Sequence, residues 1–406
     1  SSSPPSAVPP SEVEPAAVVV IGGGFGGLNA ALQLAASAEH PSVVLLEPRE
    51  HFLFLPLLYE LLSAELKRWE IAPRYSELLA GSGVVWIQER AARIDRANRT
   101  ITTDSGRQLP YSSAVIASGG QLETYGVPGV REHAIGFRTL EDVAQIQGWI
   151  DQLNTKQSPL QRIGIVGAGA SGVELACKLA DLLAGSAIVE LVEQGPELLP
   201  MAKAFNREQA RKALQQRDIR LRLNTRVASV EANGLQLQRL GDGTTSVETL
   251  RCDGVIWTAG LAASVPELEP PLPLDPRGRL RCAPSLQVEG SEDLFVLGDA
   301  AACPDPSGEH PSGALYPANA QVAYQQASCI ARNLQRLRIG APLDSFIWKD
   351  LGEMMGLGIG QASLTGMGVT LAGPAAFQLR RLAYLARMPG LPQQLKVAGG
   401  WLAKWL

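Results

Sequence analysis

Six glycines in two sets carry the first chemical signal: Gly22, Gly24 and Gly27 fit the spacing G-x-G-x-x-G, and Gly167, Gly169 and Gly172 repeat it. The first glycine of such a set permits a tight turn, the second lets a pyrophosphate approach the backbone, and the third lets helix and strand pack closely. A helix beginning there turns its unpaired N–H groups and the positive end of its dipole towards an anion. Downstream of each set a strand-like run ends in an acid, Glu47 and then Glu193. A carboxylate at that place accepts hydrogen bonds from the hydroxyls of an adenosine ribose. Two such units in one chain mean two dinucleotides, and hence electron transfer between one held tightly and one that exchanges.

The elements that must position these residues are legible in order. Val18–Ile21 is a β-branched run suited to a strand buried on both faces, and the glycines follow it with no polar linker before a helix and the strand that ends at Glu47. Residues 161–194 repeat this order almost element for element. Two further strands run into small-residue turns, with Ala117 and Gly119 in one and Ala259 and Gly260 in the other, where the backbone can come close to a bound cofactor. A third, Leu294–Ala302, ends in Gly298 and Asp299, a short carboxylate placed to accept from a ribityl hydroxyl. Between these lie two helical patterns in His51–Leu79, split near Trp69–Pro73, a hairpin pattern in Gly83–Gly106, and strands over about Arg220–Leu250. The repeated strand–helix–strand order predicts an α/β fold with two Rossmann-like dinucleotide-binding domains.

A chain of 406 residues has room for two or three domains, each with its own core. A formal charge of -4 with no long block of like charge argues against nucleic acid as a partner. The five cysteines (Cys177, Cys252, Cys282, Cys303 and Cys329) include no C-x-x-C, which fits buried thiols in a reducing compartment. The four histidines are dispersed and no metal site is expected. Ser- and Pro-rich residues 1–15 read as a disordered leader with neither the apolar core of a signal peptide nor the Arg-rich amphipathy of a transit peptide. Residues 354–379 carry no charge, but their glycines, Gln361, Ser363, Thr365, Thr370 and Pro374 break the continuity a membrane span needs. Glycine-spaced strands packed against the first dinucleotide-binding domain are expected there instead.

The helix expected within Leu315–Leu334 brings Gln321, Tyr324 and Gln325 to one face by their i, i+3, i+4 spacing, which suits either a site or a solvated polar face. The tail holds two helical patterns split by Pro389–Pro392. In the second, Leu395, Ala398, Trp401, Leu402 and Trp405 share a face; in the first, Arg380, Arg381 and Arg387 accompany Phe377, Leu382 and Leu385. Trp, Leu and flanking cations suit a membrane interface. A docking face or a homodimer contact is the competing reading, and the tryptophans favour lipid.

In this order, the two glycine sets with Glu47 and Glu193, Glu174 inside the second helix, the small-residue turns, Gly298-Asp299, the A-Q-V-A-x-Q-Q helix and the amphipathic tail resemble the type II NAD(P)H:quinone dehydrogenases. The segments Leu57–Pro73 and Arg380–Leu385 look like the demethylphylloquinone reductase branch of cyanobacteria and plastids. The resemblance implies a leader at 1–15, an FAD domain in two parts at 16–130 and 276–340, an NAD(P)H-binding domain at 131–275, and strands with membrane-binding helices at 341–406. It implies FAD on Gly22, Gly24, Gly27, Glu47 and Asp299. NADH would sit on Gly167, Gly169, Gly172 and Glu193, in preference to NADPH because a carboxylate at Glu193 repels a 2′-phosphate, with NADPH still tolerated. Glu174 matches an acid beside the nicotinamide and quinone regions, and Gln321 and Tyr324 match positions lining a quinone pocket. The implied reaction passes hydride from NAD(P)H to FAD and two electrons to a membrane quinone without pumping protons, on the cytoplasmic or stromal face of a thylakoid or plasma membrane. Demethylphylloquinone is the quinone this branch implies; a respiratory enzyme using plastoquinone or menaquinone, or a redox sensor without quinone turnover, are the alternatives. Sulfide:quinone reductases and disulfide reductases need cysteine pairs near the flavin, and no cysteine precedes Cys177.

Overall fold

The computed structural model describes residues 17–309 and 314–404, so the leader at 1–15 and Trp405 lie outside the described residues. The first half is built on a parallel five-stranded sheet in the order Leu294–Val296, Ser113–Ile116, Val18–Ile21, Val43–Leu46, Val85–Ile87. Its central strands are buried along their whole length, as expected of a parallel sheet covered on both faces. The helix Phe25–Ala35 packs against Ala320–Arg338 on one side of it. Val18↔Val43 and Val18↔Ser113 set the register, which brings Glu47 and Ala117 to the same end of the sheet as Gly22.

The second half repeats the plan with a parallel four-stranded sheet, Arg220–Arg222, Ile188–Val192, Arg162–Val166, Gly254–Trp257. Here the helix is Ala170–Leu183, nine of whose residues are buried. An antiparallel sheet of Thr225–Glu231, Gly234–Arg239 and Val247–Arg251 lies beside it. A short ribbon joins the halves where Gly120–Leu122 pairs antiparallel with Leu261–Ala263. The expected hairpin near Gly83–Gly106 is Ala91–Asp95 paired with Thr100–Thr103, whereas Val85–Ile87 has joined the first sheet. Trp69 is not in a break between helices: it lies within Arg68–Ile71, one of three short helices with Leu58–Leu62 and Tyr75–Leu78.

The uncharged segment is a three-stranded antiparallel sheet, Glu353–Gly356, Ala362–Gly366, Val369–Gly373. It packs on the second half's helices Ala170–Leu183 and Ala204–Gln216, which corrects the expectation that it lies against the flavin domain. The reason is polar: the Glu353 carboxylate accepts from Lys203 N at 3.0 Å and Asn206 Nδ2 at 2.6 Å. Helices Pro374–Arg387 and Leu391–Ala403 follow. Among the described residues no helix is long and apolar enough to cross a membrane.

Candidate functional site

The two glycine turns share one geometry. A methyl group on Gly27 would collide with the Gly22 carbonyl oxygen, and one on Gly172 with that of Gly167, so helix and turn are in contact where only hydrogen fits. Gly24 and Gly169 face open space within 4 Å, leaving room for a ligand to reach the backbone. Glu47, only 4% exposed, accepts from Gly23 N at 2.7 Å. Glu193 accepts from the equivalent Ala168 N at 2.8 Å. Both acids thereby brace their own glycine turn and stand beside the place a ribose would occupy.

Partners of the acids differ. Glu47 Oε1 takes Arg49 Nε at 2.7 Å, and Arg49 in turn donates to Tyr75 Oη, which donates to Gly23 O at 2.6 Å. Glu193 Oε1 takes only the Gly195 N–H at 2.7 Å among the described residues, with no cation paired to it. Further along the first sheet, Gly298 N donates to Gln326 Oε1 at 2.8 Å and Asp299 sits in the 3₁₀ turn Gly298–Ala300. Gln326 is 2% exposed and was not singled out from the sequence, although it closes the A-Q-V-A-x-Q-Q pattern. The turn residue Gly119 faces open space, as Gly24 does. These open, backbone-lined cradles with a braced acid fit a dinucleotide in each half.

Between the halves lies a buried charged cluster. Arg380, 1% exposed, forms an ion pair with Glu60, donates to Pro56 O at 2.8 Å, and stands 3.6 Å from Glu174 Oε2. One cation therefore faces two buried acids, Glu60 from the first half and Glu174 from the second. Burial pushes the Glu174 carboxyl up to about 8; Arg380 opposes that shift and Glu60 adds to it, while the Gly356 N–H favours the carboxylate. Burial disfavours charge on Arg380 too, but Glu60, Tyr384 and Glu174 outweigh it and its pKa is raised. Tyr59 is raised as well, by burial and then by the negative field of Glu174. Glu60 Oε2 and Arg380 Nε are buried without a hydrogen-bond partner among the described residues. A second pair, Lys178 with Glu65, ties the helix Ala170–Leu183 to the turn after Leu58–Leu62. Glu60, Arg380 and Lys178 were missed as site residues because a lone charge on an amphipathic stretch reads as solvated until the fold closes over it.

The Gln321 amide pins the segment 348–352, donating to Gly352 O at 3.1 Å and accepting from Trp348 Nε1 at 2.8 Å and Leu351 N at 2.9 Å. Its oxygen is taken up there, and one of its two N–H groups makes the bond to Gly352. Gln325 does the same to Lys349, through both its N–H and its C=O. Tyr324 does join an aromatic row: its ring lies 5.8 Å from Phe25, which lies 5.1 Å from Phe54, which lies 5.6 Å from Tyr384. The row starts at the first glycine turn and ends over Arg380, whose guanidinium stands 5.1 Å from the Tyr384 ring.

In the tail, the expected tryptophan face is turned inward. Trp401 is buried, donates to Glu70 Oε2 at 2.6 Å, and carries the Arg381 guanidinium 4.3 Å over its ring. A buried acid on Arg68–Ile71 has captured the indole N–H, so the exposed side of the two helices is Leu379, Leu382, Leu391, Leu395 and Leu402. Arg380 likewise is a buried cation and no part of a solvated face.

Comparison with known proteins agrees with this geometry. The family model described as pyridine nucleotide-disulphide oxidoreductase matches residues 16–327. The chain is 39% identical to the demethylphylloquinone reductase NdbB of Synechocystis sp. over 95% of this chain and 96% of that one. It is 34% identical to an alternative NAD(P)H-ubiquinone oxidoreductase C1 of Arabidopsis thaliana, over 95% and 80%. Among solved structures, NDH2 from Plasmodium falciparum in complex with NADH superposes with a TM-score of 0.84 at 18% identity, covering 97% of this chain and 99% of that one. A sulfide:quinone oxidoreductase from Aquifex aeolicus shares the fold at a TM-score of 0.75 and 20% identity, covering 90% and 89%, but the five cysteines here are all buried and free. The chain belongs to the pyridine nucleotide-disulphide oxidoreductase family and, within it, to the type II NAD(P)H:quinone oxidoreductases.

Proposed function

We propose that this chain binds FAD in its first half and NAD(P)H in its second, and reduces a demethylated naphthoquinone such as demethylphylloquinone at the cluster between them. The observation that carries the reading is Arg380 held between Glu60 and Glu174, at the end of an aromatic row that begins at the first glycine turn. Gly22, Gly24, Gly27, Glu47, Ala117, Gly119, Gly298 and Asp299 hold FAD. Gly167, Gly169, Gly172, Glu193, Ala259 and Gly260 hold the nicotinamide dinucleotide. When bound, FAD supplies the two-electron chemistry that links hydride from NAD(P)H to a quinone.

The chain's own residues then manage charge and protons. Glu174, with its pKa pushed up to about 8, keeps its proton at neutral pH and can give it to a quinone oxygen. Arg380 stays charged and balances the negative charge that develops on that oxygen. The carboxylate left on Glu174 is stabilised by the same guanidinium. Phe25, Phe54, Tyr324 and Tyr384 offer flat faces to an aromatic ring and keep water away. The exposed leucines of the two C-terminal helices, flanked by Arg387, Lys396 and Lys404, suit contact with a lipid surface from which the quinone enters. On this reading the enzyme is a peripheral membrane protein, and the cytoplasmic or stromal face is the one its resemblance to the demethylphylloquinone reductases implies.

The test is stopped-flow flavin absorbance: the enzyme is reduced with NADH and mixed with a demethylnaphthoquinone or a plastoquinone analogue. Fast reoxidation chiefly by the first supports this reading. Preference for plastoquinone makes the enzyme respiratory, and no reoxidation by either makes it a sensor.

A further inference from the structure

The small-residue turn that closes each sheet recurs in both halves, and the two copies differ at one glycine. Methyl groups built on Gly22 and on Gly167 run into Ala117–Ser118 and Thr258–Ala259 respectively, which makes Gly119 and Gly260 equivalent. Gly119 has open space on its side-chain face. Gly260 does not: a methyl group there would collide with the hydroxyl of Tyr125, which donates to Ala259 O at 3.3 Å. Gly260 has φ +159, at the edge of the region L side chains rarely adopt.

Tyr125 comes from the chain that crosses from the first half to the second, and its neighbours are firmly fixed. Glu123 donates its N–H to Gly260 O at 3.1 Å and accepts the Trp257 indole N–H at 2.8 Å. Beyond it, Pro128 O accepts from Val230 N. Tyr125 itself stands at the apex, 65% exposed and at φ +51. That backbone pose favours Gly or Asn, and that degree of exposure gives a large ring little to gain from burial. Its one side-chain hydrogen bond among the described residues is to the turn it covers. Nothing in the core or in the ribbon between the halves requires a phenol there. A ligand lying along the Thr258–Gly260 turn would.

We propose that Tyr125 is the outer wall of the nicotinamide dinucleotide slot, a positioning residue whose ring packs on the stretch of dinucleotide that crosses Gly260. The inference rests on the second half holding NAD(P)H. It assigns Tyr125 no contact with FAD, since the equivalent Gly119 is uncovered. The half whose dinucleotide comes and goes thus has an exposed, lightly held ring where the other half has an open backbone.

Holoenzyme carrying Tyr125→Ala, Tyr125→Phe or Glu193→Ala tests this, by calorimetric titration with NAD⁺ alongside steady-state kinetics. Loss of one stacked ring is expected to weaken NAD⁺ about threefold to tenfold in Tyr125→Ala, with KM for NADH rising in parallel and KM for quinone unmoved. Tyr125→Phe keeps the ring and stays within about twofold of wild type. FAD per chain and the unfolding midpoint report that the fold is intact. Unchanged or tighter NAD⁺ binding in Tyr125→Ala, with Glu193→Ala weakened, overturns the inference alone. Unchanged binding in both variants overturns the assignment of the second half as the NAD(P)H site.

Discussion

The two nucleotide halves are built to one plan and finished to different degrees. Each has the colliding glycine pair, the open second glycine and the bracing acid. In the first half the acid is buttressed by Arg49 and Tyr75, and a buried glutamine secures the 3₁₀ turn at Gly298. The acid of the second half has only backbone partners among the described residues, and a largely exposed tyrosine covers the closing turn. On the proposed assignment, side-chain bracing of the acid suits the half that keeps its dinucleotide, and backbone bracing under a lightly held tyrosine suits the half that exchanges one.

The largest expected effect concerns what joins the halves. Arg380→Met leaves Glu60 and Glu174 buried without their cation and should lower stability by about 3–5 kcal/mol, read by denaturant unfolding. An unfolding curve like wild type would mean the halves are held together by something else. The glycines come next. Gly27→Ala forces a methyl group onto the Gly22 carbonyl at a cost of about 1–3 kcal/mol and should yield protein largely free of FAD. Gly172→Ala should keep its FAD and raise KM for NADH by about tenfold or more, which is about 1.4 kcal/mol. Matching losses of FAD in both variants would break the comparison.

The pH dependence separates the half-reactions. Glu174 donates only while protonated, so flavin reoxidation by quinone should fall as pH rises through about 8. Flavin reduction by NADH should not, and Glu174→Gln should remove the dependence along with most of the rate. Cofactor preference is a smaller effect. Glu193→Gln removes the charge that repels a 2′-phosphate and should narrow the NADH over NADPH preference in kcat/KM by about tenfold, or about 1.4 kcal/mol. Glu47→Gln should leave that ratio alone and weaken FAD retention. The most local effect is expected from Gln321→Leu, which frees the 348–352 segment; amide exchange there should quicken for a loss of about 1–3 kcal/mol.

Both glycine turns, their acids and the strand–helix–strand unit around each were legible in the sequence because local spacing carries them, whereas the sheet order was not, and Val85–Ile87 left the expected hairpin for the first sheet. Motifs of that kind are short-range: glycine turn, helix and acid fall within about thirty residues of one another, as a strand–helix–strand unit does. The cluster between the halves was half legible. Glu174 came from the family resemblance, but its partners Glu60 and Arg380 are 320 residues apart, and no local signal distinguishes a buried arginine from a surface one. Trp401 failed for the same reason. Its helical face looks lipid-facing until Glu70, from a helix more than three hundred residues earlier, takes the indole N–H. For Gln321 the sequence could not show its hold on residues 348–352, a segment with no recognisable pattern.

The strand order of the first sheet has a consequence for the history of each molecule. Leu294–Val296 pairs with Ser113–Ile116, yet every strand of the second parallel sheet lies between them in the chain. That second sheet completes its hydrogen bonding within residues 135–257, with Ile135 bridging the edge strand Gly254–Trp257. The first must wait for an edge strand that arrives after its neighbour domain has been made, and closing so long a loop is the slower event. A chain emerging from the ribosome has therefore exposed every strand of the second sheet before the last strand of the first exists, which on the proposed assignment puts the site for the transient dinucleotide ahead of the permanent one.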